Sequence, residues 1–271
     1  MKILRKILAC IALASFCGAV TAEQSAEAIS APFSDPSRPG TLHVGIITGS
    51  IVVRGGNVKD VSITTSSRDF HGEHSGTTGL RRLPQAVPIT VEERNNRMEI
   101  GSPFGNRAVD LEIQVPTHTH LDLSNVNQGS IEVEGVEGEL EIGSVNGSIT
   151  LTDVAGSVVT HTINGKVQVT LTRVTPQKPM AFTSLNGAVE VDLPADIKAN
   201  LKLRTDNGKV FTDFDLSMLP QPNTPAIEDT RRSGGRYRIE VNKVIYGAVN
   251  GGGPDIEMRT FNGSIFVRKN K

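Results

Sequence analysis

The chain has 271 residues, long for one ordinary domain yet within the range of a single all-β unit. Apolar residues make up 37%, charged residues 21% and aromatics only 4%, without a Trp and with 27 Gly. That mix is too apolar for a disordered chain and too poor in rings for a core built on large aromatics. The formal charge of −1 removes any broad electrostatic case for nucleic acid or an acidic membrane as the main partner.

Residues 1–22 read as a secretory signal peptide. Lys2, Arg5 and Lys6 precede an apolar run from Ile7 to Val20, and Val20-Thr21-Ala22 offers small residues at a cleavage position after Ala22. The run is shorter than the roughly 20 apolar residues a permanent span needs. Loss of this segment removes three cations and no acids, taking the formal charge from −1 to −4. Both cysteines, Cys10 and Cys17, lie inside it, so the mature chain is expected to have no disulfide, thiol nucleophile or cysteine-based zinc site. Lipid anchoring at Cys17 is disfavoured by the bulky Phe16 before it. The expected location is extracytoplasmic, periplasmic or secreted, with no transmembrane helix in the mature chain, which is either soluble or held peripherally at a membrane. Residues 23–41, rich in Ser, Ala and Glu and carrying Pro32, Pro36 and Pro39, read as a linker.

Residues 42–271 form the expected β-repeat domain, with a less regular part at 42–120 and regular repeats over 121–271. The repeat centres on an Asn-Gly pair preceded and followed by apolar residues. Val145-Asn146-Gly147-Ser148-Ile149, Ile163-Asn164-Gly165-Lys166-Val167 and Leu185-Asn186-Gly187-Ala188-Val189 are the clearest copies. Val126-Asn127-Gln128-Gly129-Ser130-Ile131, Asp206-Asn207-Gly208-Lys209-Val210 and Phe261-Asn262-Gly263-Ser264-Ile265 complete the series, with Ile47-Thr48-Gly49-Ser50-Ile51 as a weaker copy. Successive glycines at 129, 147, 165, 187 and 208 are 18, 18, 22 and 21 residues apart, and 55 residues separate Gly208 from Gly263. The last interval fits about two further coils plus the Pro-rich loop Leu219 to Gly235. Asn and Gly tolerate a left-handed backbone, so each pair is expected to turn the chain sharply.

Between turns the residues alternate, as in Val167, Val169 and Leu171 against Gln168, Thr170 and Thr172. Period two means strands with one face buried and one wet. A second short strand falls midway in each repeat, as in Leu140-Glu141-Ile142 and Val158-Val159-Thr160. Two architectures use such a repeat: a single-stranded β-solenoid of about 18–22 residues per coil, or an antiparallel β-sandwich in which each repeat is a hairpin. Even spacing and scarce aromatics favour the solenoid, whose thin coils hold aliphatics but little Trp or Tyr. Each buried Val, Ile or Leu is worth about 1.5–3 kcal/mol, so one coil cannot offset its ordering entropy but a stack can. Arg268, Lys269 and Lys271 read as charged protection of the last coil.

The run of Asn-Gly units, led in by Val109-Asp110-Leu111-Glu112-Ile113-Gln114-Val115-Pro116, resembles a bacterial envelope family labelled "putative adhesin", a domain of unknown function. The resemblance covers residues 42–269. It implies an extracytoplasmic or membrane-associated repeat-β protein and carries no catalytic position across.

The side-chain constellations give no strong chemistry. His71-Gly72-Glu73-His74 lacks the spacing and the helix of a zinc protease motif. His118 and His120 share one strand face and can hold a metal only with a third ligand such as His161. Asp192, Arg204 and Asp206 are the nearest approach to the stacked acids and base of a glycan-cleaving β-helix. Thr150, Thr152, Thr170 and Thr172 make too few rungs for a threonine plane, and threonine simply favours strands. Arg231, Arg232, Arg236 and Arg238 form a basic cluster suited to lipid headgroups or anionic glycans, without the aromatics a nucleic-acid site needs.

The reading is therefore a non-enzymatic envelope or secreted protein offering an extended surface to a protein or glycan, with no cofactor, metal or catalytic residue assigned. Its rivals are a polysaccharide-active enzyme on a β-helix scaffold and a structural component of an envelope complex.

Overall fold

The structure, a computed structural model, describes residues 28–69, 89–102, 107–219, 226–229, 237–240 and 244–270. The signal peptide with both cysteines, the motif at His71, Glu73 and His74, and Arg231, Arg232 and Arg236 lie outside the described residues. The chain is all-β: the described residues contain strands and turns and no helix. No described helix is long and apolar enough to cross a membrane.

Two parallel ladders carry the fold. The first stacks Arg97–Gly101, Gly40–Thr48, Thr119–Asn127, Glu137–Ser144, residues 155–164, Met180–Asn186, Asp255–Asn262 and Ala199–Asn207, in that spatial order. The second stacks Arg107–Pro116, Ile51–Gly56, Ile131–Glu134, residues 149–156, Val167–Val174, Val189–Leu193, Ile265–Lys269 and Val210–Thr212. The strand Ile149–Asn164 serves both, bending at Asp153, whose φ is 52°, where the register shifts.

Parallel in-register stacking sets like on like. Leu111, Ile51, Ile131, Ile149, Val167, Val189 and Ile265 follow one another across the second ladder. All are buried, as are Ile113, Val53, Val133, Leu151, Val169, Val191 and Val267 in the parallel column two residues on. The first ladder adds Val44, Leu123, Ile142, Thr160, Phe182, Met258 and Leu203. The alternation read from the sequence is thus an alternation of column: every second residue joins a continuous aliphatic stack, with Phe182 fully buried among them.

The levels do not stack in chain order. Residues 255–269 sit between 180–193 and 199–212, and residues 40–56 sit between 97–116 and 119–134. The 55-residue interval from Gly208 to Gly263 therefore ends one level back in the stack, and does not extend it by two coils. Arg268 and Lys269 consequently lie on an interior level rather than a terminal one. Reversed strands close the ends instead. Thr90–Arg94 and Val61–Asp69 run antiparallel at one end, and Val244–Val249 followed by Ser217–Met218 at the other. Within the segment read as a linker, Ile29–Ala31 pairs with Val61–Ile63, and buried Phe33 lies under Gly40.

Candidate functional site

The Asn-Gly turns line up along one edge of the stack and build an unbroken asparagine ladder. Asn146 Nδ2 donates to Asn127 Oδ1 at 3.0 Å, Asn164 to Asn146 at 2.8 Å, and Asn186 to Asn164 at 2.9 Å. Asn262 donates to Asn186 at 2.8 Å, and Asn207 to Asn262 at 2.9 Å. Every amide points the same way, so each inner member gives one hydrogen bond and receives one.

The glycines beside them are there for close approach, not for a left-handed backbone. None of Gly129, Gly147, Gly165, Gly187, Gly208 and Gly263 has a positive φ, and neither do their ladder asparagines. A Cβ on Gly165 would instead stand 2.1 Å from the carbonyl oxygen of Gly147, and one on Gly187 would stand 2.0 Å from that of Gly165. Such separations forbid any side chain, so the column is glycine at every level. This corrects the expectation that turn handedness selects the residue.

Beneath the turn runs a buried polar column two residues before each asparagine: Asn125, Ser144, Thr162, Ser184, Thr260 and Thr205. All but Ser144 donate to glycine carbonyls: Asn125 to Gly129 at 2.9 Å, Thr162 to Gly147 at 3.0 Å, Ser184 to Gly165 at 2.8 Å, Thr260 to Gly187 at 2.8 Å and Thr205 to Gly263 at 2.8 Å. Buried carbonyls need such partners. The complete repeat is therefore a Ser, Thr or Asn, any residue, then Asn, then Gly. The short polar residue stands at that offset in all six copies that carry Asn, and Ile46 takes its place in the weaker copy.

The residue between those two points outward, and it is apolar. Strand register places Ile47, Val126, Val145, Ile163, Leu185 and Phe261 on successive levels. Ile47, Val126, Ile163, Leu185 and Phe261 are 40–46% exposed and Val145 is half-buried. At about 4.8 Å per level the row is about 24 Å long. Isolated exposed aliphatics need no explanation, but six consecutive ones along one line do. Asp206 ends the row on the next level.

The constellations singled out in the sequence do not come together. Asp192 lies on the second ladder, where Arg268 reaches both it, at 3.7 Å, and Glu190, at 3.2 Å. Arg204 lies on the first ladder and donates to Asp206 at 3.3 Å. Burial pushes the Glu190 carboxyl up, but hydrogen bonds from Lys166 and Arg268 outweigh it and hold the group below its ordinary value. Thr150 faces Gln168 and Thr170 faces Asp192, so the threonines form no plane.

His118, His120 and His161 also separate. His120 Nδ1 accepts the backbone N–H of Glu139 at 2.9 Å, and His118 lies 3.5 Å from Glu137. His161 aligns instead with Gly143, four residues farther along the strands. Among the described residues no group of three or more His, Asp or Glu is placed to hold a metal. The two histidines border two adjoining cavities of about 620 and 390 Å³ on the edge opposite the asparagine ladder, both of which include Pro39, His118 and Glu137. Hydrogen bonds from Arg173 and Lys178 lower the carboxyls of Glu137 and Glu139.

No family model matches the chain, and no curated protein matches its sequence. Two solved structures are similar along their lengths. One is described as a "putative cell adhesion protein" from Clostridium sporogenes ATCC 15579, at 12% identity and a TM-score of 0.42, covering 90% of this chain and 99% of its own. The other is described as a "putative adhesin" from Bacteroides fragilis NCTC 9343, at 9% identity and a TM-score of 0.34, covering 91% and 98%.

Proposed function

We propose that this chain is a non-enzymatic extracytoplasmic protein, a single-stranded β-solenoid of the kind the adhesin-like repeat implies, that binds through its stacked edge. The solenoid reading is supported by parallel pairing of successive repeats in matching register. The binding reading rests on one observation: the exposed apolar row Ile47, Val126, Val145, Ile163, Leu185 and Phe261. Burial of such side chains elsewhere in the stack is what stabilises it, and leaving six of them in water on one line favours a surface that becomes covered. A line of shallow contacts gives affinity by addition along the stack and needs no pocket. The leader-like residues 1–22 support a location outside the cytoplasm, where an envelope protein, a glycan or a membrane surface is what this edge would meet.

The experiment is retention of labelled protein by envelope extract. Changing Ile163 and Leu185 together to Ser, at exposed positions that leave the core columns intact, is expected to cut retention at least tenfold while the circular dichroism spectrum stays unchanged. Undiminished retention by a folded variant would remove the row from the binding surface. Cleavage of envelope polysaccharide lost on Asp192→Ala or Arg204→Ala would favour the enzymatic rival.

A further inference from the structure

The apolar row is not uniform along its length, and its flanks differ between the two halves. Beside Val126 and Val145 the outward neighbours are small: Ser124 and Gly143 on one side, Ser130 and Ser148 on the other. Farther along, the flanks are His161 and Lys166 beside Ile163 and Thr183 and Ala188 beside Leu185, and cations gather at the Phe261 end. Arg259, two residues before Phe261, and Arg204 on the next level stand on one side. Lys166 and Lys209, each the residue after a turn glycine, stand on the other. Lys166 is held by Glu190 at 3.0 Å and Arg204 by Asp206 at 3.3 Å. Arg259 and Lys209 are exposed and, among the described residues, enter no ion pair.

We propose that this edge seats on a lipid bilayer, with the apolar row entering the headgroup–acyl boundary and Arg259 and Lys209 taking anionic lipid phosphates on either side of Phe261. The inference rests on the proposed binding role of the row and names its partner. Three properties favour a bilayer over a protein. The row is one residue wide, too narrow for the roughly 800 Å² per side that a stable protein interface buries. It is aliphatic, ending in a single Phe, and lacks the Tyr, Trp and Met that concentrate in protein interface cores. It combines an apolar line with flanking free cations, the arrangement that binds membrane interfaces through buried apolar area plus attraction to anionic lipids. The asparagine ladder beside it already pairs its amides along the stack, so it approaches the headgroup layer with those hydrogen bonds made. The small formal charge of the chain gives no broad attraction, which assigns adhesion to the row and lipid preference to the two cations.

The test is co-sedimentation of the whole protein with vesicles of phosphatidylethanolamine and phosphatidylglycerol, and with vesicles of phosphatidylcholine alone. The protein is expected to bind both, several-fold more tightly when phosphatidylglycerol is present. Leu185→Ser with Phe261→Ser should lower binding to both at least tenfold. Arg259→Glu with Lys209→Glu should abolish the preference for phosphatidylglycerol and leave phosphatidylcholine binding within about twofold. Circular dichroism establishes that each variant is folded. Failure of the unaltered protein to pellet with either vesicle overturns the bilayer assignment, as does unchanged pelleting of the folded Leu185→Ser, Phe261→Ser variant. If vesicles fail but the row variants still lose retention by envelope extract, the binding role stands and its partner is a protein or glycan. If the row variants keep both activities, the two readings fall together.

Discussion

The two edges of the stack are built on opposite plans. On the asparagine edge, short turns repeat one pattern of Asn and Gly, with Gln128 inserted in a single copy, and backbone meets backbone through a glycine column and an amide ladder. On the opposite edge, loops of differing sequence meet through ion pairs, Arg173 with Glu137 and Lys178 with Glu139, around two open cavities. Backbone contact at van der Waals limits tolerates only one residue, whereas exposed long side chains adjust to many neighbours. Sequence regularity thus reports where the levels touch most closely, and irregularity reports where they are free to differ.

Substitutions at the two edges should break this contrast in graded fashion. Gly165→Val places a side chain about on the Gly147 carbonyl and is expected to cost more than about 4 kcal/mol, enough to prevent cooperative thermal unfolding of an intact stack. Retention of near-native melting would show that the column yields. Asn164→Ala removes one hydrogen bond given to Asn146 and one received from Asn186, for about 1–3 kcal/mol by denaturant titration. Asn186→Ala should match it, and their pair should fall short of additive because they share a bond. On the opposite edge, Lys178→Ala should cost less than about 1 kcal/mol, and that small effect should vanish in high salt.

Acid offers the gentlest probe. Glu137, Glu139 and Glu190 have lowered carboxyl values in the folded chain, so each contributes stability that is present above the ordinary glutamate value of 4.5 and is lost as pH falls through the lower folded values. Melting temperature is expected to drop over that acidic range, and Glu190→Gln should flatten part of the drop. A stability that rises on acidification there would contradict the ion-pair assignments.

Much of this architecture was legible in the residues themselves. The alternation Val167, Val169, Leu171 and the recurrence of Asn-Gly fixed strands, turns and burial, because period two and repeat length are properties of the local chain. The reason for the glycines was not legible, since a left-handed turn and a carbonyl 2.0 Å from the missing Cβ select the same letter. The stacking order was not legible either. Ile265 fits beside Val189 or Val210 equally well by chemistry, and only the long connection decides that it lies between them. The outward row was present in the letters: Thr162 and Asn164 flank Ile163, but an apolar residue beside a turn reads as core until its parity is counted against Val158 and Thr160.

The insertion of residues 255–269 between two earlier levels constrains how the chain can be completed. Residues 180–193 and 199–212 are synthesised first and adjoin in sequence, yet neither provides the other's native neighbour. Until the later segment arrives, each exposes a row of unpaired amides and carbonyls toward a gap one strand wide. The same segment from another molecule would fill that gap with identical bonds, so assembly into exchanged pairs competes with closure within one chain, and local chain concentration decides between them.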